Sequence, residues 1–129
     1  MTQYLLDTHA LVWWWLADPK LSHTARNVMD DRSNRLFVSA VTAYEIANKV
    51  RLGKLPAMRE LLATYDLALI QDGFVSLPLH DRYAHHAGLL DGDHRDPFDR
   101  LIAAQALLED MTVITRDREI TDFGCKVLW

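Results

Sequence analysis

The stretch LLDTHALVWWWLADPKLS, residues 5–22, begins like a buried strand and continues as an apolar helix. A charged residue, Asp7, ends the strand, and three consecutive tryptophans, Trp13, Trp14 and Trp15, follow in the helix. Successive helical side chains point about 100° apart, so the three rings span roughly 200°, which is wider than the stripe that a surface helix normally buries. The carboxylate and the outermost indole ring therefore both need a partner from elsewhere.

The chain has 129 residues, 50% of them hydrophobic, which is enough for a single domain, 1–129, with one core. Its 14 basic and 18 acidic residues give a net charge of −4, so binding to nucleic acid would need a local basic patch. The single cysteine, Cys125, excludes an internal disulfide and favours a cytoplasmic location. We find neither an export leader nor an uncharged run of about 18 residues, and expect no membrane association.

Short apolar runs alternate with longer helical patterns along the chain. Five runs are predicted to be strands: residues 4–6, 36–39, 74–77, 112–115 and 126–128. Six segments are predicted to be helices: residues 9–17, 23–31, 41–52, 57–71, 80–90 and 97–109. This alternation predicts an α/β fold with a parallel sheet and helices on both faces. In such sheets, binding sites form outside the carboxyl ends of the strands.

Carboxylates are placed to meet at that edge of the sheet. Asp7 ends the first strand, Glu45 lies about one turn into the helix after the second, and Asp117 follows the fourth. Asp96 and Asp99, in HRDPFDRLIAAQA, open the helix that leads into the fourth strand. Four separate segments therefore bring acids to one edge of the predicted sheet.

Each acid also has a purely structural explanation. Asp96, followed by proline, fits a helix N-cap, and Asp99 fits the first turn of the same helix. Glu45 could pair with a lysine four residues on, and Asp117 could cap a turn. Asp7 is the hardest to explain in this way, because a carboxylate that ends an apolar strand is partly desolvated and needs a partner.

These separate explanations do not account for the convergence of the acids. Two carboxylates about 5 Å apart repel by roughly 3 kcal/mol at an effective dielectric of about 20, and a cluster of four contains six such pairs. Either some of the acids are protonated or a divalent cation lies among them. Oxygen ligands without cysteine favour Mg²⁺ or Mn²⁺ over zinc, and an ion of this kind suits the cleavage of a phosphodiester.

Four segments carry a family resemblance: LLDTHALVWW, VSAVTAYEIANKVRLGKL, HRDPFDRLIAAQA and TVITRDREI. Their order and spacing resemble those of PIN-domain ribonucleases, and essentially the whole chain is similar to the VapC-type toxins of bacterial toxin–antitoxin pairs. The resemblance implies a three-layer α/β/α domain with a five-stranded parallel sheet and Mg²⁺- or Mn²⁺-dependent cleavage of RNA. It also implies a homodimer and a small antitoxin protein as partner.

The resemblance assigns roles to individual residues. Four acids match the metal-binding and catalytic acids of the family: Asp7, Glu45, Asp99 and Asp117. Asp96 is a further candidate ligand, and Thr8 and Thr115 match small hydroxyl residues that stand beside the acids.

Basic residues flank the acids. We expect four arginines to form a rim that holds RNA: Arg95, Arg100, Arg116 and Arg118. His80, His85, His86 and His94 precede the acid motif, but the spacing of His80 and His85 puts them on different sides of a helix. We therefore expect these histidines to be solvated or to lie in first-turn positions rather than to bind metal.

For the tryptophans, we expect the sheet to cover Leu11 and Trp15, and the face around Trp13 or Trp14 to meet another chain. The antitoxin is favoured over a second protomer, because the helix begins beside Asp7 and a chain lying along it could reach the acids. The alternative is that the segment 23–31 or 57–71 folds back over the rings.

Other functional classes fit less well. A receiver-like module that only binds Mg²⁺ would have paired acids near the first strand, where this chain has Asp7 alone. A phosphatase of the haloacid-dehalogenase type would need an acid at the position of His9. A PIN fold that acts only as an inert partner remains an alternative, which a test of RNA cleavage would decide.

Overall fold

The computed structural model describes residues 2–129. Its strands are β1 (Gln3–Leu6), β2 (Arg35–Ser39), β3 (Phe74–Leu77), β4 (Thr112–Ile114) and β5 (Val127–Leu128). All neighbouring strands pair in parallel, in the order β3-β2-β1-β4-β5. The predicted α/β fold with a five-stranded parallel sheet is confirmed.

The α-helices are α1 (Thr8–Trp15), α2 (His23–Asp30), α3 (Ala40–Arg51), α4 (Arg59–Leu62), α5 (Tyr65–Gln71), α6 (Asp81–Leu89) and α7 (Pro97–Glu109). Two 3₁₀ helices, Pro56–Met58 and Arg118–Phe123, complete the elements of the described chain. None of the helices within residues 2–129 combines the length and apolarity that crossing a bilayer requires.

The single helix predicted over residues 57–71 is wrong. It is a 3₁₀ turn followed by α4 and α5, with a break at residues 63–64. There the N–H groups of Ala63 and Thr64 donate to carbonyls three residues back, those of Glu60 and Leu61. Thr64 then leaves the helical region, with φ −125° and ψ 31°. The apolar periodicity continues through this break, so the pattern alone did not indicate it.

Both faces of the sheet are buried. Leu6, Val38 and Ile114 belong to a core cluster on one face, and Leu5, Phe37 and Val113 belong to a second cluster on the other. The first cluster includes side chains of α1 and α3, and the second includes side chains of α7. This three-layer arrangement explains why the strands read as continuous apolar runs without polar alternation.

The order of the strands places a crevice at the centre of the sheet. From β1 the chain builds outward to β2 and β3, then crosses back to add β4 and β5 on the other side of β1. The reversal point therefore lies between β1 and β4, where a crevice opens at the carboxyl ends of the strands. The backbone N–H of Asp7 donates to the carbonyl of Ile114 at 3.1 Å, which fixes Asp7 at this point.

Trp13 is covered by the chain itself. Its side chain is 8% exposed and belongs to the core. The ring contacts Trp129 edge-on, with centroids 5.7 Å apart, and stacks with His9 at 5.3 Å. The guanidinium of Arg116 lies 4.7 Å from the ring centroid.

Trp14 and Trp15 are half-buried under α5 and the start of β3. Trp14 packs against Phe74 at 5.9 Å, and Trp15 packs edge-on against Tyr65 at 5.5 Å. Both indole N–H groups donate to one carboxylate oxygen of Asp72, at 3.2 Å and 2.7 Å. We therefore correct the expectation that Trp13 or Trp14 faces another chain. Trp129 packs against Trp13, Phe74 and Asp72 contact Trp14, and the segment 57–71 contributes Tyr65, which packs against Trp15.

Candidate active site

A cavity of about 430 Å³ opens at the carboxyl edge of the sheet. Its lining includes all of the predicted acids: Asp7, Glu45, Asp96, Asp99 and Asp117. The acids come from the ends of β1 and β4 and from the helices α3 and α7. Residues that lie far apart in sequence thus share one concave site.

Asp7 and Asp117 are tied together by Thr115. Asp7 caps α1 by accepting the N–H of Ala10 at 2.7 Å, and its other oxygen accepts the hydroxyl of Thr115 at 2.5 Å. The Thr115 oxygen in turn accepts the N–H of Asp117 at 2.9 Å, so its own proton points to Asp7. Burial raises the pKa of Asp7, and the charge of Glu45 adds to the increase. The hydrogen bonds from Thr115 and Ala10 oppose it. The site therefore favours an additional positive charge.

Glu45 is held through both carboxylate oxygens. The Thr8 hydroxyl donates to one at 2.6 Å, and the Lys49 ammonium lies 3.1 Å from the other. Thr8 also lies within hydrogen-bond distance of Thr42, at 3.2 Å. Glu45 therefore forms the expected ion pair with a lysine and also lines the acid cavity.

The two acids at the start of α7 differ in their surroundings. Asp96 is the exposed N-cap and accepts the N–H of Phe98 at 2.9 Å, as its structural explanation predicted. Asp99 is partly buried and accepts a hydrogen bond from His94 at 2.8 Å. Burial raises the pKa of Asp99, the charges of Asp96 and Asp117 raise it further, and His94 opposes the increase.

His94 is a site residue that the sequence analysis missed. Its two ring nitrogens lie 2.8 Å from Asp99 and 2.7 Å from Glu119, and its ring contacts Phe123 edge-on. The hydrogen bond to Asp99 and the nearby carboxylates raise the pKa of His94. Carboxylate oxygens beside both ring nitrogens favour the imidazolium form of His94, which places positive charge next to the acids. No spacing rule connects His94 with Glu119, since the pair forms only in the folded chain.

His94 also belongs to a set of donor atoms that could hold a metal ion. Asp117 caps the 3₁₀ helix by accepting the N–H of Glu119 at 2.9 Å. Ligand atoms of His94, Asp117 and Glu119 all lie within 4.8 Å of one another. Since His94 is partly buried between Asp99 and Glu119, the expectation that it is solvated is wrong, whereas the expectation that it does not bind metal stays a prediction.

Comparison with known proteins identifies the fold family. The PIN domain family model matches residues 4–124. The chain belongs to the PIN domain family. The family resemblance drawn from the sequence motifs is thereby confirmed, and the receiver-like and phosphatase interpretations are not retained.

Individual relatives of this PIN domain are similar over nearly its full length. Ribonuclease VapC22 of Mycobacterium tuberculosis (strain ATCC 25618 / H37Rv) is 26% identical over 121 residues, covering 93% of this chain and 91% of the relative. The structure of VapBC2 from Rickettsia felis bound to a DNA fragment from their promoter matches with a TM-score of 0.71, 18% identity and 98% coverage of both chains. The Mycobacterium tuberculosis VapC20 structure, described as a sarcin-ricin loop cleaving toxin, matches with a TM-score of 0.64, 12% identity and 95% coverage of both.

The predicted arginine rim of this PIN domain needs one correction. The guanidinium of Arg100 donates to the backbone carbonyls of Ala87 at 3.0 Å, His94 at 2.9 Å, and Leu90. Arg100 therefore fixes the loop between α6 and α7 and carries no charge outward to a rim. Arg95, Arg116 and Arg118 are exposed, as a rim requires.

Further polar and basic residues, which the sequence analysis did not assign to the predicted rim, line the acid cavity. Asn48, Lys49 and Lys54 line the acid cavity from α3 and the turn after it. His9, which follows the Asp7 strand end by two residues, lines it as well. A usable signal was present, since Asn48 and Lys49 lie three and four residues after Glu45 and thus on the same helix face.

Proposed function

We propose that this PIN domain is a divalent-metal-dependent endoribonuclease and the toxin of a toxin–antitoxin pair. The observation that carries the proposal is the shared cavity of Asp7, Glu45, Asp99 and Asp117. An RNA substrate is supported by VapC22, which is a ribonuclease, and by VapC20, which is described as cleaving the sarcin-ricin loop. The similarity of this chain to a chain in the VapBC2 structure supports a small antitoxin as partner. We also expect a homodimer, as the family resemblance implies.

The donor set fits Mg²⁺ or Mn²⁺. The four acids offer carboxylate oxygens, the ligands that these ions prefer, and Cys125 is buried away from the site in the second core cluster. Burial raises the pKa values of Asp7 and Asp99, and neighbouring carboxylates add to the increase, so a bound cation would stabilise their ionised forms. A divalent cation bound by these acids would polarise a phosphoryl oxygen and lower the pKa of a water molecule.

The chain's own residues hold the acids in place for hydrolysis. Thr115 fixes Asp7 and the backbone of Asp117, while Thr8 and Lys49 fix Glu45. When water attacks phosphorus, a new P–O bond forms as the bond to the 3′ oxygen breaks, and that oxygen takes a proton. The products are a 5′-phosphate and a 3′-hydroxyl, and the 2′-hydroxyl takes no part.

The test is cleavage of a single-stranded RNA by the purified protein in Mn²⁺ and in EDTA. We expect cleavage in Mn²⁺ only, and a loss of several orders of magnitude in Asp7→Ala and Asp99→Ala. His85→Ala is the control, because His85 lies exposed on α6 outside the cavity lining. Absence of cleavage by the wild-type protein in Mn²⁺ would favour the inert-partner interpretation.

A further inference from the structure

A second cavity, also of about 430 Å³, lies beside the acids. It is lined by Thr115, Arg116, Arg118, Thr121, Val127 and Trp129. Thr115 joins the two cavities, since its hydroxyl donates to Asp7 in the first. The walls of the two cavities therefore adjoin at the Thr115–Asp7 hydrogen bond.

The segment after β4 separates acidic from basic side chains. Asp117 lines the acid cavity, whereas its neighbours Arg116 and Arg118 line the second one. Both arginines are exposed, and neither forms an ion pair within residues 2–129. The side chain of Arg116 is held in place, because its guanidinium packs 4.7 Å from the ring of Trp13. The second cavity therefore offers two uncompensated guanidinium groups to an anion.

One wall of the second cavity is aromatic. Trp129 is partly exposed, and its ring is fixed by the edge-on contact with Trp13 at 5.7 Å. An indole ring beside guanidinium groups matches the two parts of a nucleotide, a flat base that stacks and a phosphate that accepts hydrogen bonds. No acidic side chain of the described chain lines this cavity to oppose a phosphate.

We infer that the second cavity is a nucleotide subsite of the active site. Single-stranded RNA whose scissile phosphate lies against the acids places the adjacent nucleotide here, with its phosphate on Arg116 and Arg118 and its base against Trp129. This inference rests on the proposed ribonuclease function. It adds the direction in which the RNA leaves the acids, past the exposed Arg116 toward the end of β5.

The test is steady-state cleavage, in Mn²⁺, of a short single-stranded RNA that carries a fluorophore and a quencher. The double variant Arg116→Gln/Arg118→Gln should raise KM about tenfold or more and change kcat less than about threefold. The logarithmic dependence of kcat/KM on salt should flatten by roughly 0.7 units, because one phosphate of a single strand loses both of its arginine contacts. Arg32→Gln/Arg59→Gln, which removes the same charge from exposed positions outside both cavities, is the matched control and should change KM less than about twofold.

The aromatic wall is tested separately. Trp129→Ala should raise KM about fivefold or more, whereas Trp129→Phe, which keeps a stacking ring, should retain most of the affinity. If Trp129→Ala fails to fold because Trp13 loses its contact, the exposed arginine pair still decides the question.

An unchanged KM in the arginine variant, with a wild-type protein that cleaves RNA, would overturn the subsite and leave the proposed function standing. A loss confined to kcat would overturn it as well, because the arginines would then act on the chemistry. If the wild-type protein cleaves no RNA in Mn²⁺, the proposed function fails and the subsite fails with it.

Discussion

At the scale of single residues, the acids repel one another, and threonine hydroxyls, Lys49 and His94 reduce this repulsion. Replacing Asp99 by asparagine should therefore raise the melting temperature of the metal-free protein by roughly 2–5 °C, since the raised pKa of Asp99 shows that its ionised form is disfavoured in the fold. The same change should abolish the stabilisation by millimolar Mn²⁺ that the wild-type protein shows by linkage. Thermal melts in EDTA and in Mn²⁺ measure both effects. Asp66→Asn, on the exposed side of α5, is the control and should keep the Mn²⁺ response.

The pH dependence of stability in EDTA follows from the same residues. The pKa values of Asp7, Asp99 and His94 are all raised in the fold, so the folded chain binds these protons more tightly than the unfolded chain. Their contributions are therefore present at low pH and are lost as pH rises through the folded-state pKa values. For His94 the loss begins above its ordinary value of about 6.5.

Thermal melts of the metal-free protein at a series of pH values between about 5 and 8 check this expectation. The melting temperature should fall as pH rises, and Mn²⁺ should reduce the slope. His94→Gln should remove the part of the slope above about pH 6.5. A melting temperature that rises with pH over this range would contradict the assignment of unrelieved negative charge to the cavity.

At the scale of elements, α5 and the residue after it pack against the side of α1 that carries Trp14 and Trp15. Asp72, directly after α5, accepts both indole N–H groups of Trp14 and Trp15, so Asp72→Ala leaves two donors without their charged acceptor. We expect a loss of about 2–4 kcal/mol in the free energy of unfolding by urea, and a smaller loss in Asp72→Asn, which keeps an acceptor oxygen. RNA cleavage by the folded protein should be unchanged, since Asp72 lies outside the acid cavity. Equal stability of the wild-type and Asp72→Ala proteins would show that α5 does not hold the rings through this carboxylate.

The elements that could be predicted are those whose signal is local. The five strands and α7 were evident from apolar runs and from the Asp96 cap with proline behind it, because burial on both faces and capping are properties of neighbouring residues. The break at residues 63–64 and the 3₁₀ helix Arg118–Phe123 were not evident. The apolar periodicity continues through the break, and the 3₁₀ helix is too short to show a periodicity. Tertiary packing determines the backbone conformation of both segments.

At the scale of the whole molecule, the same distinction separates the predicted part of the site from the rest. The convergence of Asp7, Glu45, Asp99 and Asp117 could be predicted because parallel strands bring their carboxyl ends to one edge. Some partners of these acids were also predicted, since the family resemblance puts Thr115 beside the acids and helical spacing pairs Glu45 with a lysine. His94 could not be predicted as a partner, because it meets Glu119 only when distant segments fold together. Arg100 was wrongly predicted to bind RNA because it follows Asp99 in the sequence. In the fold its guanidinium instead donates to backbone carbonyls at the α6–α7 loop.

We propose above that the acid cavity hydrolyses RNA by attack of water on phosphorus with a divalent cation. The most direct measurement is the chemistry of the product ends after cleavage of a defined RNA in Mn²⁺. We expect 5′-phosphate and 3′-hydroxyl ends, with no cleavage in EDTA or by Asp99→Ala. Ends that carry a 2′,3′-cyclic phosphate, or cleavage that persists in EDTA, would contradict it.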